Sequence, residues 1–259
     1  LIAVWHPLQN GQGAPMLELP AFPGNPDPDA PVGVSVGLVL DASSILAKNR
    51  RGELQLLAAP HDRIADDSTT DQLLSPGYYQ FVVVAEGGEL VYDWDICPSF
   101  DDWVPPADIP LRWRGGEDAW TPPRQYCISD SDSSAAVKGE DGACVVTRST
   151  VGLQSCRMVP ESALDWWEEN WGAIRKYGGN PTTEFNSPRN MIAMRYDLDQ
   201  QSRDTGLFVF APYAGRIVSV FLVATGGELA YQYHMTEVEF PTRVRRAYVF
   251  LRFAWTVLK

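Results

Sequence analysis

Residues 78–96 read YYQFVVVAE, then Gly87-Gly88, then ELVYDWDI. Two runs rich in β-branched and aromatic residues around a glycine pair predict a β-hairpin, because glycine takes the positive φ of a type I′ or II′ turn without strain. The pattern recurs at 219–235 as SVFLVAT, Gly226-Gly227 and ELAYQYHM. The two segments align as VAEGGELVYDW and VATGGELAYQY. Shared hairpin chemistry accounts for the match more simply than an ancient duplication. The chain is therefore expected to be built on antiparallel hairpins at both ends.

Composition narrows the class. A chain of 259 residues has room for one large or two small domains with a sizeable core, and its 20 prolines and 21 glycines favour many turns and short strands. The net charge of −12, with pI near 4.6, argues against nucleic acid as a partner, since phosphate contacts need clustered Lys and Arg. Arg243, Arg245, Arg246 and Arg252 form the best local basic group and read as ordinary surface charge. No apolar run reaches the roughly 18 residues of a membrane span. The N-terminus LIAVWHPLQNGQG shows neither a charged leader region nor a cleavage site. Cys97, Cys127, Cys144 and Cys156 form no CxxC pair; Cys144 and Cys156 are spaced so that they could approach each other, while buried free thiols and an intracellular, cytoplasmic or nuclear, location are expected. Oligomeric state is not encoded in any pattern here.

Taken in order, the first half (1–126) reads as β-rich. A strand at IAVWHPL leads into a Pro/Gly/Asp loop (20–31). Val32, Val34, Val36, Leu38 and Leu40 alternate, predicting a strand to Leu40 and then a short helix capped by Asp41 and stopped at Asn49–Gly52. Asp66, Asp67 and Asp71 match the DDxxxD spacing of a magnesium-diphosphate site. They lie among Ser and Thr near a Pro-Gly, which favours an exposed loop. Residues 98–126 are rich in Pro and Trp. Residues 127–143, rich in Ser, Asp and Gly, read as a loop or linker before a second half (144–259). In the closing segment Tyr248, Leu251, Trp255 and Leu258 follow helical spacing, predicting a C-terminal helix that packs, with the late hairpin, on the first half.

Between these lies CVVTRSTVGLQSCRMVP (144–160), a Trp-rich stretch, and SPRNMIAMRYDLDQQSRDTGLFVFAP (187–212). Apolar runs at 144–147 and 153–159 predict two strands around a turn at Ser149–Gly152. Leu164, Trp167, Trp171 and Ile174 share one face of a helix over 161–176, with Trp166 beside it. That face suits core packing or an aromatic wall around a ligand, with Trp167 and Trp171 as ligand-binding candidates. Ser187 followed by Pro188 is a helix N-terminus signal, and Leu207–Phe210 is a strand.

This region resembles the HNH nuclease-like proteins of filamentous fungi. There the second strand reads roughly Cys-His-Leu-Val-Pro, and the helix carries Asn followed by Leu-Arg-x-Asp-Leu-His. The matching residues are Cys144, Val145, Val146, Thr147, Leu153, Gln154, Ser155, Cys156, Val159, Pro160, Asn190, Arg195, Asp197 and Leu198. The likeness extends through ICPSFDDWVPP (96–106) and RRAYVFLRFAWTVLK (245–259). It implies an α+β fold: antiparallel hairpins with a ββα core.

The resemblance places Arg157 where the family has its catalytic His, and Asp199 where it has a metal-ligand His. Such a site needs a neutral imidazole to deprotonate water and a divalent cation to stabilise charge on phosphate. A guanidinium stays protonated at any relevant pH. The remaining histidines are His6, His61 and His234, none between 62 and 233. Loss of phosphodiester hydrolysis is therefore implied. Arg157 then either orients a substrate or pairs structurally with a carboxylate such as Asp197 or Asp199.

Three functional classes remain open. One is a repurposed enzyme or binder for a small, largely apolar molecule, for example in a cyclase or isomerase-type role in fungal secondary metabolism, with the former nuclease cleft as its pocket and Arg157, Asn190, Asp197 and Asp199 as its polar groups. A second is a residual nuclease using Mg²⁺ on Asp199. The third is a non-enzymatic interaction module. No cofactor is required by the first or third.

Overall fold

The computed structural model describes residues 1–9, 11–21, 33–65, 70–115, 130–177, 181–203, 206–223 and 227–259. Its first layer is a sheet whose central strands are buried, with Ile2, Val4, Leu54, Phe81 and Val83 in the core and a buried Glu53–Gln55–Gln80 hydrogen-bond chain. β1 (Ile2–Trp5) pairs antiparallel with β2 (Leu17–Leu19). A two-residue strand β3 (Val34–Ser35) then leads directly into helix α1 (Val36–Leu46). β4 (Gly52–Leu56), β5 (Ala59–Ala65), the two-residue β6 (Leu73–Leu74), β7 (Gly77–Val84) and β8 (Leu90–Val91) follow. The sheet order is β2-β1-β7-β4-β5, with β8 on β7 and with β1 parallel to β7.

The hairpin predicted at 78–96 is present, with a different turn. Ala85 and Glu89 still exchange a ladder bond, so the loop is the three residues 86–88. Gly88 N–H closes the turn on Ala85 C=O, and Gly88 sits at φ +84, the left-handed residue of a three-residue loop.

The alternation over 32–40 misled. Val36, Leu38, Val39 and Leu40 are all buried, so burial on every side, rather than a strand period, put apolar residues there. Ser35, not Asp41, caps the helix, accepting the Leu38 N–H at 3.4 Å. The N–H groups of Val36 and Gly37 donate to the carbonyls of Gln72 and Thr70. Of the first-turn donors that a helix leaves open, two are thus met by the 70–72 segment and one by Ser35.

In the second half, α2 (Asp130–Asp141) occupies most of the stretch read as a linker. This polar helix is held at its end: the Asp141 carboxylate accepts the Ala193 N–H (2.7 Å) and an Arg243 N–H (2.5 Å), with both side chains buried. The strand predicted at 144–147 is a tight turn instead. Cys144 C=O accepts the Arg148 N–H, and Arg148 takes φ +60. β9 (Leu153–Arg157) follows. The helix predicted over 161–176 is broken into α3 (Leu164–Glu169) and α4 (Trp171–Ile174), flanked by 3₁₀ turns, and α5 (Pro181–Glu184) completes the insertion. Ser187 and Pro188 cap only one 3₁₀ turn, Pro188–Asn190, before β10 (Met191–Arg195). Helix α6 (Tyr196–Arg203) comes directly after.

β11 (Phe208–Tyr213) and β12 (Arg216–Phe221) form a hairpin across Ala214 and Gly215, both at positive φ as a type I′ turn requires. The hairpin predicted around Gly226-Gly227 is not formed. Gly227 opens helix α7 (Gly227–Tyr233), and the ladder on β12 is taken by β13 (Thr236–Glu237). The closing helix is α8 (Arg246–Val257). Ala247 to Trp255 are all buried, Arg252 among them with its guanidinium 4.5 Å over the Trp255 ring, so α8 runs through the core. Phe250 and Phe253 meet Trp113 at ring separations of 5.3 and 5.1 Å, which joins the two halves. One contiguous cluster of buried residues extends from Ile2 to Leu258, and the boundary drawn at 126–144 divides no core.

Candidate functional site

Two regions hold the polar groups of interest. The first is β9, β10 and α6, a strand–strand–helix unit in which Met191 pairs with Arg157 at one end and Arg195 with Leu153 at the other. Four residues at about 3.3 Å each separate those ends. Arg157 and Asn190 are therefore neighbours, and Asp197, attached to Arg195, stands at the far end.

Asn190 is fully buried. Its side-chain oxygen accepts the Val159 N–H at 2.9 Å, and its amide donates to Phe185 C=O (2.8 Å) and Val159 C=O (3.4 Å). It clamps both ends of the insertion between the two strands. Arg157 donates to Asn186 Oδ1 at 3.0 Å, lies 3.7 Å from Glu161, and stacks over Phe185. Asp197, expected as a partner for Arg157, is instead held by Arg195 in a two-pronged pair of 2.6 and 2.7 Å. That guanidinium, beside it, pulls the Asp197 carboxyl below its ordinary range. Asp199 is fully buried on α6.

The tryptophan stripe also sorts differently. Trp167 is buried edge-on against Phe185 and Tyr248, and Trp166 donates its indole N–H to Trp103 C=O at 2.7 Å. Trp171 and Leu164 are 36 % and 38 % exposed, so they belong to the surface rather than to an aromatic wall. Beside them Glu184, unremarked in the sequence, takes contacts from Arg189 (3.3 Å), Arg245 (3.5 Å) and the Tyr248 hydroxyl (3.3 Å). It locks the insertion to α8.

Of the histidines, His6 is engaged with Trp94 C=O and the Leu8 N–H. His234 accepts the Phe221 N–H, and burial pushes it down to about 4. Asp66 and Asp67 lie outside the described residues. Asp71 is exposed and accepts the Ala214 N–H at 3.1 Å. Among the described residues, no group of three or more His, Cys, Asp and Glu is placed to hold a metal ion. Cys97, Cys144 and Cys156 are buried free thiols. No helix among the described residues is long and apolar enough to cross a membrane.

The second region opens around α1. A cavity of about 700 Å³ lies between α1, the 106–112 segment and Phe250 of α8, with Leu40, Ile45, Pro106, Pro110 and Leu111 on its walls. Asp41 and Arg112 form one charged corner, and Ser44, Asn49, Arg51, Thr70 and Asp108 also line the space. Arg112 lies along one turn of α1: its Nε donates to Asp41 at 2.9 Å, and a terminal N–H donates to Gly37 C=O. The Trp113 indole N–H donates to the same Asp41 oxygen. The approach is close enough that a Cβ at Gly37 would collide with the Arg112 guanidinium and lie 3.0 Å from Thr70 C=O. Thr70, Leu111 and Arg112 also line a second, more open groove of about 1090 Å³. Neither space is lined by Arg157, Asn190, Asp197, Asp199, Trp167 or Trp171.

Sequence reading missed Asp41, Arg112 and Gly37 as a unit. Asp41 looked like a cap, and Arg112 sat in a Pro/Trp-rich stretch without period. Their contact joins residues 71 apart, and no local pattern carries that. No family model, curated protein or solved structure matches this chain.

Proposed function

We propose that this chain is a degenerate HNH nuclease-like protein that binds a small, largely apolar molecule, and that the molecule sits in the cavity beside α1. The observation that carries the reading is that cavity: about 700 Å³, with apolar walls at Leu40, Ile45, Pro106, Pro110, Leu111 and Phe250 and the oriented Asp41–Arg112 pair among its polar lining groups. Ligand sites for small molecules have this size and set fixed polar groups against apolar walls. The HNH-like part of the reading draws on the β9–β10–α6 order and the motif residues on it. Loss of hydrolysis follows from the permanently charged Arg157 at the position of the base. A Mg²⁺-dependent nuclease would need Asp199 at a surface where a hydrated ion meets phosphate, and full burial does not suit that role.

The test is titration with the neutral apolar fluorophore N-phenyl-1-naphthylamine. Saturable, blue-shifted emission is expected from the wild type, with at least tenfold weaker binding in Thr70→Trp. Thr70 lines the cavity, and its bonds to Ser35 and Gly37 use the backbone carbonyl. Unsaturable emission, or equal affinity in the variant, would remove the cavity reading. Plasmid cleavage in Mg²⁺, Mn²⁺ or Zn²⁺ that is lost in Asp199→Asn would restore the nuclease.

A further inference from the structure

The more open groove has a character that the whole chain does not. The net charge is −12, yet the groove is lined by Arg112, Arg114, Arg148, Arg216 and Arg246 against Asp71, Glu237 and Glu239. Five guanidinium groups from four separate parts of the chain converge there: the 111–115 segment, the Cys144 turn, the β11–β12 hairpin and the start of α8. Arg246 is stacked on Phe240 at 5.2 Å, so its position is set by an aromatic face.

Three of the five make exposed ion pairs: Arg114 with Asp108 (3.7 Å), the Arg114 Nε also donating to Ile109 C=O (3.1 Å), Arg148 with Glu239 (3.0 Å) and Arg216 with Glu237 (2.9 Å). Pairs in such exposed positions are weak and are readily exchanged for a better anion. Arg112 is different, because it is anchored on Asp41 and stands where the groove meets the apolar cavity. Leu111 lies at the same junction with 80 % of its surface exposed, an apolar side chain facing open space beside a charged groove.

We propose that the two spaces form one site for an amphiphile: its apolar chain in the cavity beside α1, and a phosphate ester head among the groove arginines. This deepens the reading above and rests on it. Phosphate is favoured over carboxylate because it offers three terminal oxygens to planar, two-pronged guanidinium donors, whereas a carboxylate offers two. Thr70, Leu111 and Arg112 mark the junction where chain meets head.

Calorimetric titration of the full chain with three probes tests this: dodecyl phosphate and dodecanol, both below their aggregation limits, and inorganic pyrophosphate. Dodecyl phosphate should bind at least tenfold more tightly than dodecanol. The double variant Arg148→Gln/Arg216→Gln should bring its affinity to within twofold of dodecanol, leaving dodecanol binding unchanged. The control Arg175→Gln/Lys176→Gln, equal in charge but on exposed residues outside the groove, should shift it less than twofold. Equal affinity for the two alkyl probes, or an equal loss in the control, overturns the head-group assignment and leaves the cavity reading in place. Binding of pyrophosphate with no gain from the alkyl chain overturns the amphiphile and the cavity together, leaving a plain anion groove. No binding of any probe overturns both readings outright.

Discussion

Asn190 and Arg112 are both polar side chains set among apolar ones, yet they stand in opposite situations. Around β9, β10 and α6, Asn190 is turned inward: its oxygen and its amide are taken by the backbone of Val159 and Phe185. Around α1, Arg112 is anchored on Asp41 and Gly37 and still borders two open spaces. Residue types that serve catalysis in one protein serve as internal staples in another when no solvent-filled volume adjoins them. Open volume beside an oriented charge, rather than the list of polar residues, separates the two regions.

That contrast can be broken at either end. The largest effect is expected from Asn190→Ala, which leaves buried backbone groups of Val159 and Phe185 without partners. A loss of about 3 kcal/mol in urea denaturation is expected, with N-phenyl-1-naphthylamine affinity of the folded protein unchanged. A variant of full stability would show that Asn190 is not a staple. Gly37→Ala comes next. The added methyl collides with Arg112 and displaces it from Asp41, so about 1–2 kcal/mol of stability and several-fold of fluorophore affinity should go together. An unaltered melt with unaltered binding would mean that Arg112 does not shape the cavity.

The smallest effect belongs to Asp197→Asn. This pair is partly exposed, with Asp197 at 44 %, so the loss should stay within about 1 kcal/mol. Its pH dependence has a definite sign. Arg195 holds the Asp197 carboxyl below its ordinary value, so the stabilisation is complete above the unfolded value near 3.9 and fades as pH falls through the folded one. The difference between wild type and variant in urea midpoints should therefore be present at pH 7 and shrink between pH 5 and pH 3. A difference that grows on acidification would contradict the pairing.

Much of the fold was legible. β7 and β8 with their glycine turn, β9, β11 and α8 all announce themselves through runs of β-branched residues or helical spacing, which act over a few neighbours. The failures came where a local signal had two solutions. ELVYDW continues a hairpin, whereas the similar ELAYQY is helical. There Ala230 packs inward, and Gln232 donates to Glu228 one turn earlier at 2.9 Å. Ala and Gln in place of Val91 and Asp93 tilt the segment toward helix. β13 then supplies the partner that β12 would otherwise lack.

What the amino-acid order determined alone was the supply of strands, turns and one closing helix with an apolar stripe, together with an acidic balance and a guanidinium at position 157. Tertiary structure alone decided which polar residues face space. Asp41 meets Arg112 because α8 draws the 111–113 turn onto α1 through Trp113, and the arginines of the groove meet because four distant segments end at one place. Such encounters depend on chain closure over long separations, where burial of the core, not neighbouring residues, sets the geometry.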